Sequence, residues 1–219
     1  MKLLLINPNT TAAVTDTVLQ AARAIASPGT ELVGVTGRFG AAYVASRAAY
    51  AIAAHAALDA WAAAEAAHKV APFDAVLLAC FGDPGLEALQ ELSAVPVIGM
   101  ADAAIRQAAS QGRHFGIVTG GKNWDPMLRE FVAARGLSSQ LASIQTVVPT
   151  GGDIARNPNA AMSLLADACI AAAKEGAEIV ILAGAGLAGL TPSLKDRVGV
   201  PLIDSVQAAM QAAEAGARA

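Results

Sequence analysis

Aromatic side chains are scarce in this chain of 219 residues, at 4%, and charged side chains are few, at 15%. No basic run occurs, and the formal net charge is −3. A nucleic-acid surface needs clustered Lys and Arg with stacking rings, so nucleic acid is not an expected partner. Only two cysteines are present, Cys80 and Cys169. Two thiols in a chain of this length make no disulfide framework, which points to a reducing cytoplasm. His55, His68 and His114 are far apart and show no metal-ligand spacing, so no metal is expected. There is no Walker A sequence. Gly184–Gly189 reads GxGxxG, but no early βαβ unit with a downstream acidic residue supports a dinucleotide site. The opening MKLLLINPNTT has too short an apolar run for a signal peptide. Arg47, His55, Asp59 and Glu65 interrupt the Ala-rich stretch 41–70, which therefore reads as a helix packed on a sheet and not as a membrane span.

What is abundant is apolar, at 55% of residues, with an excess of alanine that favours helices. Short β-branched runs alternate with these helical stretches. The strand candidates are 2–6, 32–35, 75–79 and 96–99, then 114–118, 144–148, 179–183 and 201–203. This alternation predicts an α/β fold with parallel sheets covered on both faces. The chain also repeats itself. AVLLACFGDPGLEAL from Ala75 matches IVILAGAGLAGLTPSL from Ile179, and VPVIGMADAA from Val95 matches VPLIDSVQAA from Val200. A repeat offset of roughly 105–110 residues is too long for a solenoid and predicts two pseudo-symmetric lobes. The expected spans are 1–112, with the C-terminal helix a candidate to complete it, and 113–219. Ligands of open α/β sheets bind outside the carboxyl ends of the strands. Four polar or Gly-rich turns fall there: 7–11, 80–85, 119–123 and 184–189. Facing lobes would gather them around one cleft.

Cys80 ends a predicted strand and is followed by Gly82, Asp83 and Pro84. Asp83 suits an N-cap and Pro84 the first helical position. A thiol beside a helix N-terminus has a lowered pKa and can carry a proton, which makes Cys80 the candidate catalytic group, although many cysteines are simply core. Cys169 lies within a helical run and reads as packing. The turn Asn7–Thr11 can cap a helix or bind a carboxylate or amide. Thr119, Gly120 and Gly121 can present N–H groups to an oxyanion or form a plain tight turn.

INPNT at 6–10, RFGAAYVASRAAYA at 38–51, ACFGDPGLEAL at 79–89, GRHFGIVTG at 112–120, VPVIGMADAA and VPLIDS resemble the aspartate/glutamate/hydantoin racemase superfamily, most closely its hydantoin racemase branch. The resemblance covers nearly the whole chain. It implies two pseudo-symmetric α/β lobes, no cofactor, a small-molecule substrate, no membrane partner, and a homo-oligomer. It also implies racemisation by two cysteines, one taking the α-proton and the other delivering a proton to the opposite face. Cys80 falls on the first. Asn9, Phe39, Val44, Phe81, Gly82, Thr119 and Gly120 fall in stretches that line the family's cleft. The family's second cysteine sits in a stretch resembling LGCAGM; here that stretch is LAGAGL, with Gly184 at the cysteine position. The internal repeat also aligns Cys80 with Gly184. The N–H groups of Ala185 and Gly186 remain available to an oxyanion.

Glycine cannot transfer a proton, and three readings follow. One is a racemase-family enzyme in which Thr119, Asp83 or water serves the second face. Another is a one-cysteine, cofactor-free decarboxylase of malonate-type acids, which needs a single proton donor. The third is a small-ligand-binding protein without turnover. No arginine lies in the four turns, which favours a neutral ring such as a hydantoin over a dicarboxylate.

Overall fold

The computed structural model describes residues 1–70 and 72–217; Ala71 and the last two positions of the second predicted span, Arg218 and Ala219, lie outside the described residues. The first half runs β1 (Lys2–Asn7), α1 (Ala12–Ile25), β2 (Glu31–Thr36), α2 (Arg47–Ala67), β3 (Ala75–Leu78), α3 (Leu86–Leu92), β4 (Val97–Gly99) and α4 (Met100–Ser110). The second runs β5 (Phe115–Gly120), α5 (Trp124–Ala134), β6 (Leu141–Val147), α6 (Gly151–Arg156), α7 (Pro158–Lys174), β7 (Ile179–Ala183), α8 (Thr191–Leu194), β8 (Leu202–Asp204) and α9 (Ser205–Gly216). Two four-stranded parallel sheets result, ordered β2-β1-β3-β4 and β6-β5-β7-β8. The order is the same in both, as the repeat requires.

The strands carry apolar residues on both faces. Leu3, Leu5 and Leu77 face a central core, while Leu4, Ile6, Val76 and Leu78 face an outer one. That is why β1 and β3 read as continuous apolar runs and not as alternating ones. In the second sheet Ile117, Ile179 and Ile181 face the central core, and Val118, Val180 and Leu182 face outward. Helix α2 covers the first outer face through Ala57, Ala60 and Ala64, whose small side chains permit close approach. Helix α7 covers the second through Leu165, Ala166, Cys169 and Ala172. Cys169 is fully buried there. No helix among the described residues is long and apolar enough to cross a membrane.

The central core belongs to both halves. Helices α4 and α9 pack against each other, and α9 also contacts β3 and β4 of the first sheet. Glu214 on α9 accepts hydrogen bonds from Ser27 N (2.8 Å) and Thr30 Oγ1 (3.1 Å), tying the last helix to the first half. Arg135 at the end of α5 pairs with Asp102 on α4 at 2.6 Å. Because the two sheets share one core, we expect a single calorimetric unfolding transition. Ile181→Ala should lower stability by about 2–5 kcal/mol without splitting that transition. Two separated transitions would show that the halves fold independently.

Candidate active site

A cleft opens at the carboxyl ends of β1, β3, β5 and β7, with a void of about 560 Å³ including its mouth. Asn9, Cys80, Thr119 and Gly184 each follow or end one of these strands, and all four line it. Val44, Phe81, Gly120, Ala185 and Gly186 line it as well. Cys80 and Gly184, which the repeat aligns, therefore border one space.

Two candidates lie elsewhere. Phe39 is exposed and packs edge-on against His55 at 5.0 Å, so it has no place at the cleft. Gly82 turns away from it: its carbonyl accepts from Tyr50 Oη at 2.7 Å, and it borders a neighbouring cavity with Trp124 and Arg135. The charged residues of the predicted turns are also outside the cleft. Lys122 is exposed, and the Asp83 carboxylate accepts from the N–H groups of Ala101 (2.9 Å) and Asp102 (2.8 Å) on α4. Asp83 is thus not the N-cap of its own helix; that place belongs to Gly85. No Lys, Arg, Asp or Glu among the described residues lines the cleft.

Sequence reasoning missed the walls supplied by Tyr43, Trp124 and the segment Thr150–Gly152. Tyr43 lies in the 37–46 strap between β2 and α2. It packs so closely on Gly152 that a Cβ there would collide with its ring, and its hydroxyl accepts from Arg156 at 3.0 Å. Asn123 donates to the Ala45 carbonyl at 3.1 Å, pinning the same strap to the second half. The Thr150–Asp153 capping box was a local signal for α6, but only the tertiary fold brings that helix to the cleft.

The polar groups at the walls are set by their own bonds. Asn9 Oδ1 accepts from Asn7 Nδ2 (3.0 Å) and Thr11 N (2.9 Å), which fixes the amide and leaves its NH₂ with no acceptor among the described residues. Thr119 Oγ1 donates to the Ala183 carbonyl at 2.9 Å. Ala185 and Gly186 begin a 3₁₀ turn, and their N–H groups have no backbone acceptor among the described residues. Gly184 has φ 115 and ψ 152, a region open essentially to glycine alone. Space is not the obstacle: a Cβ there would meet only Thr119 Oγ1, at 3.8 Å.

Cys80 is 8% exposed. Burial, and then the nearby Asp83 carboxylate, push its thiol up to about 12. The lowering expected from a helix N-terminus does not occur, because α3 begins six residues later and desolvation opposes the charged form. Burial likewise pushes Cys169 up to about 12. Among the described residues no group of three or more His, Cys, Asp or Glu could hold a metal ion. Thiolate is the form that alkylates. Iodoacetamide at pH 7 should therefore modify both cysteines slowly, Cys80 before the fully buried Cys169. The Cys80 rate should climb about tenfold per pH unit below its pKa. Rapid labelling of Cys80 at pH 7, read by mass spectrometry, would contradict the effect of burial.

Residues 3–213 match the Asp/Glu/hydantoin racemase family. Over 217 residues the chain is 36% identical to a hydantoin racemase of Paenarthrobacter aurescens, covering 98% of this chain and 90% of that one. The crystal structure of an allantoin racemase from Pseudomonas fluorescens is 37% identical with a TM-score of 0.92, covering 100% of this chain and 91% of that one. An arylmalonate decarboxylase structure at 19% identity shares the fold, with a TM-score of 0.70 over 99% of this chain and 92% of that one. This chain belongs to the Asp/Glu/hydantoin racemase family.

Proposed function

We propose that this protein moves the α-proton of a hydantoin-type ring from one face, with Cys80 as its proton carrier and no side chain at Gly184 to serve the other. The observation that carries this reading is that Cys80 and Gly184 end equivalent strands on one cleft whose walls bear no charge. An uncharged cleft suits a neutral ring, whereas a dicarboxylate would call for a cationic partner. Hydantoin and allantoin, named for the relatives above, are neutral rings of this kind.

The buried Cys80 thiol first gives its proton to water; the thiolate so formed takes the α-proton and becomes a thiol again, and the electron pair of the C–H bond passes into the ring as an enolate. The Asn9 amide and the N–H groups of Ala185 and Gly186 are the donors that can hold that oxygen. In deuterated water the thiol proton exchanges, and return of a deuteron to the same face gives exchange with retention. Protonation at the other face gives inversion and has to come from water. Arylmalonate decarboxylation also needs only one donor, but its doubly anionic substrate finds no cationic side chain on these walls.

For one enantiomer of 5-benzylhydantoin, and of allantoin, exchange of the ring α-proton in deuterated water, followed by NMR, should outpace the inversion that chiral-phase analysis detects, while the mirror image should exchange no faster than it inverts. The enantiomer that presents its proton to Cys80 should exchange faster. Cys80→Ala should slow exchange by about 10²–10⁴-fold. Gly184→Cys should raise inversion by about 10²-fold. It should also lose about 1–3 kcal/mol of stability, because cysteine is strained at that φ. Inversion as fast as exchange in the unchanged protein, with Gly184→Cys adding nothing, would mean that a second proton carrier lies in the cleft.

A further inference from the structure

The two halves cap the same helix positions with carboxylates from different places in the chain. VPVIGMADAA and VPLIDSVQAA align Gly99 with Asp204, Ala101 with Val206, and Asp102 with Gln207. In the second half Asp204 precedes α9 and accepts from Val206 N (2.9 Å) and Gln207 N (3.2 Å). This is an ordinary N-cap. In the first half the residue before α4 is Gly99, and the equivalent N–H groups of Ala101 and Asp102 donate to Asp83 instead. A Cβ on Gly99 would collide with that carboxylate and with the end of the Leu86 side chain, so the missing side chain makes room for the carboxylate, while Leu86 has only to swing its tip aside in the variant tested below. The repeat aligns Asp83 with Leu187, which is buried and apolar. One carboxylate has therefore moved, between halves, from the strand end to the turn.

The move changes what the cap does. Asp83 lies three residues after Cys80, and its N–H donates to the Cys80 carbonyl at 2.9 Å. Leu187 N donates to Gly184 O at the same length, so both turns close with the same bond although their backbone conformations differ. Only the first is then gripped through its own side chain. The second reaches its cap through the Gly189 N–H, which donates to Asp204 at 2.7 Å, five residues beyond Gly184. Tyr50 adds a further tie to the first turn by donating to Gly82 O. Asp83 is also the one non-glycine residue at positive φ among the described residues, at 52°. Asp tolerates this conformation, and the buried cap holds it there. The gripped turn carries the cysteine; the other carries Gly184.

We infer that Asp83 is a positioning residue: its carboxylate, anchored on the first turn of α4, holds the Cys80 turn at the cleft, while in the second half, with no reacting side chain to hold, the same cap sits on the helix side. This rests on the reading of Cys80 as the proton carrier. Burial raises Asp83 to about 7; the N–H groups of Ala101 and Asp102 and the Arg135 guanidinium oppose that rise, and the Asp102 carboxylate adds to it. Tyr50 from α2 and Cys80 are the other titratable groups that face it.

The test moves the carboxylate. Asp83→Gly combined with Gly99→Asp gives the first half the arrangement of the second, and glycine suits the positive φ. This double variant should keep the α4 cap and melt within a few degrees of the unchanged protein. Its kcat for α-proton exchange of 5-benzylhydantoin should fall about 10²-fold with KM little changed, the usual cost of displacing a reacting group by about 1 Å. Alkylation of Cys80 by iodoacetamide, read by mass spectrometry against Cys169 and compared per thiolate from its pH profile, should become several-fold faster; the pH profile separates a freed turn from the lower thiol pKa that loss of the Asp83 charge brings by itself. An unchanged kcat and alkylation rate in a stable double variant would reduce Asp83 to a helix cap and overturn the inference. If the double variant does not fold, Asp83→Asn carries the same two readouts, with the same results for and against. Cys80→Ala separates the two layers: should exchange survive it, the reading of Cys80 fails, and the alkylation rate still decides whether Asp83 holds the turn.

Discussion

Each four-stranded sheet has two apolar faces, and its own outer helix covers only one of them. The remaining faces, with Leu3, Leu5 and Leu77 on one sheet and Phe115, Ile117 and Ile181 on the other, are buried in one core together with α1, α4 and α9. A parallel sheet left open on one side would expose a row of leucine and isoleucine side chains, at about 25 cal/mol for each Å² of apolar surface. Joining the halves through α4 and α9 removes that exposure. It also places the carboxyl ends of β1, β3, β5 and β7 along a common border. The cleft is thus a by-product of how the sheets are buried, and four turns reach it without any one of them having to travel far.

Within that frame the halves have diverged where chemistry would be concentrated. The turn after β3 is tethered to α4 and carries a buried thiol; the turn after β7 has a backbone conformation that only glycine adopts readily. Changing Gly184 therefore alters more than a missing side chain. Its φ aims the following 3₁₀ turn, whose first N–H groups have no backbone acceptor among the described residues. A side chain at Gly184 and that orientation of the N–H groups compete for the same backbone.

The eight strands of the described residues were legible for two reasons: β1, β3, β5 and β7 are short, doubly buried runs, written directly as continuous hydrophobicity, while the flanking strands, of which β2 is half-exposed, follow from their β-branched residues and the alternation with helices. The repeat runs through those same strands and their turns, and the sequence alone aligns Cys80 with Gly184. Asp83 was misread because the rule for an N-cap looks to the helix that follows, whereas its partners are the N–H groups of Ala101 and Asp102, 18 and 19 residues away. The thiol was misread in sign: its place near a helix start is visible in the sequence, but its desolvation is not. Tyr43 and Gly152 escaped notice because they meet across the two halves, and neither has a local pattern that signals the other. Phe39 fell in the right stretch, but the strap turns it outward to His55.

A neutral resting thiol also constrains the chemistry proposed for Cys80. Sulfur has to lose its proton before it can accept one from carbon, and burial opposes the thiolate. Charge on the sulfur is tolerable only when donors compensate it or when it exists briefly. The walls offer an amide NH₂ and backbone N–H groups but no cation, so the negative charge that arises is better placed on a ring enolate that those donors can reach than on the sulfur itself. A substrate whose α-carbon is flanked by a ring carbonyl meets that requirement, because most of the developing charge moves onto oxygen. A free amino-acid carboxylate does not, since its dianionic enolate would concentrate charge where no cation stands. The uncharged walls and the raised thiol therefore both support the class of substrate proposed above, one by recognition and the other by reactivity.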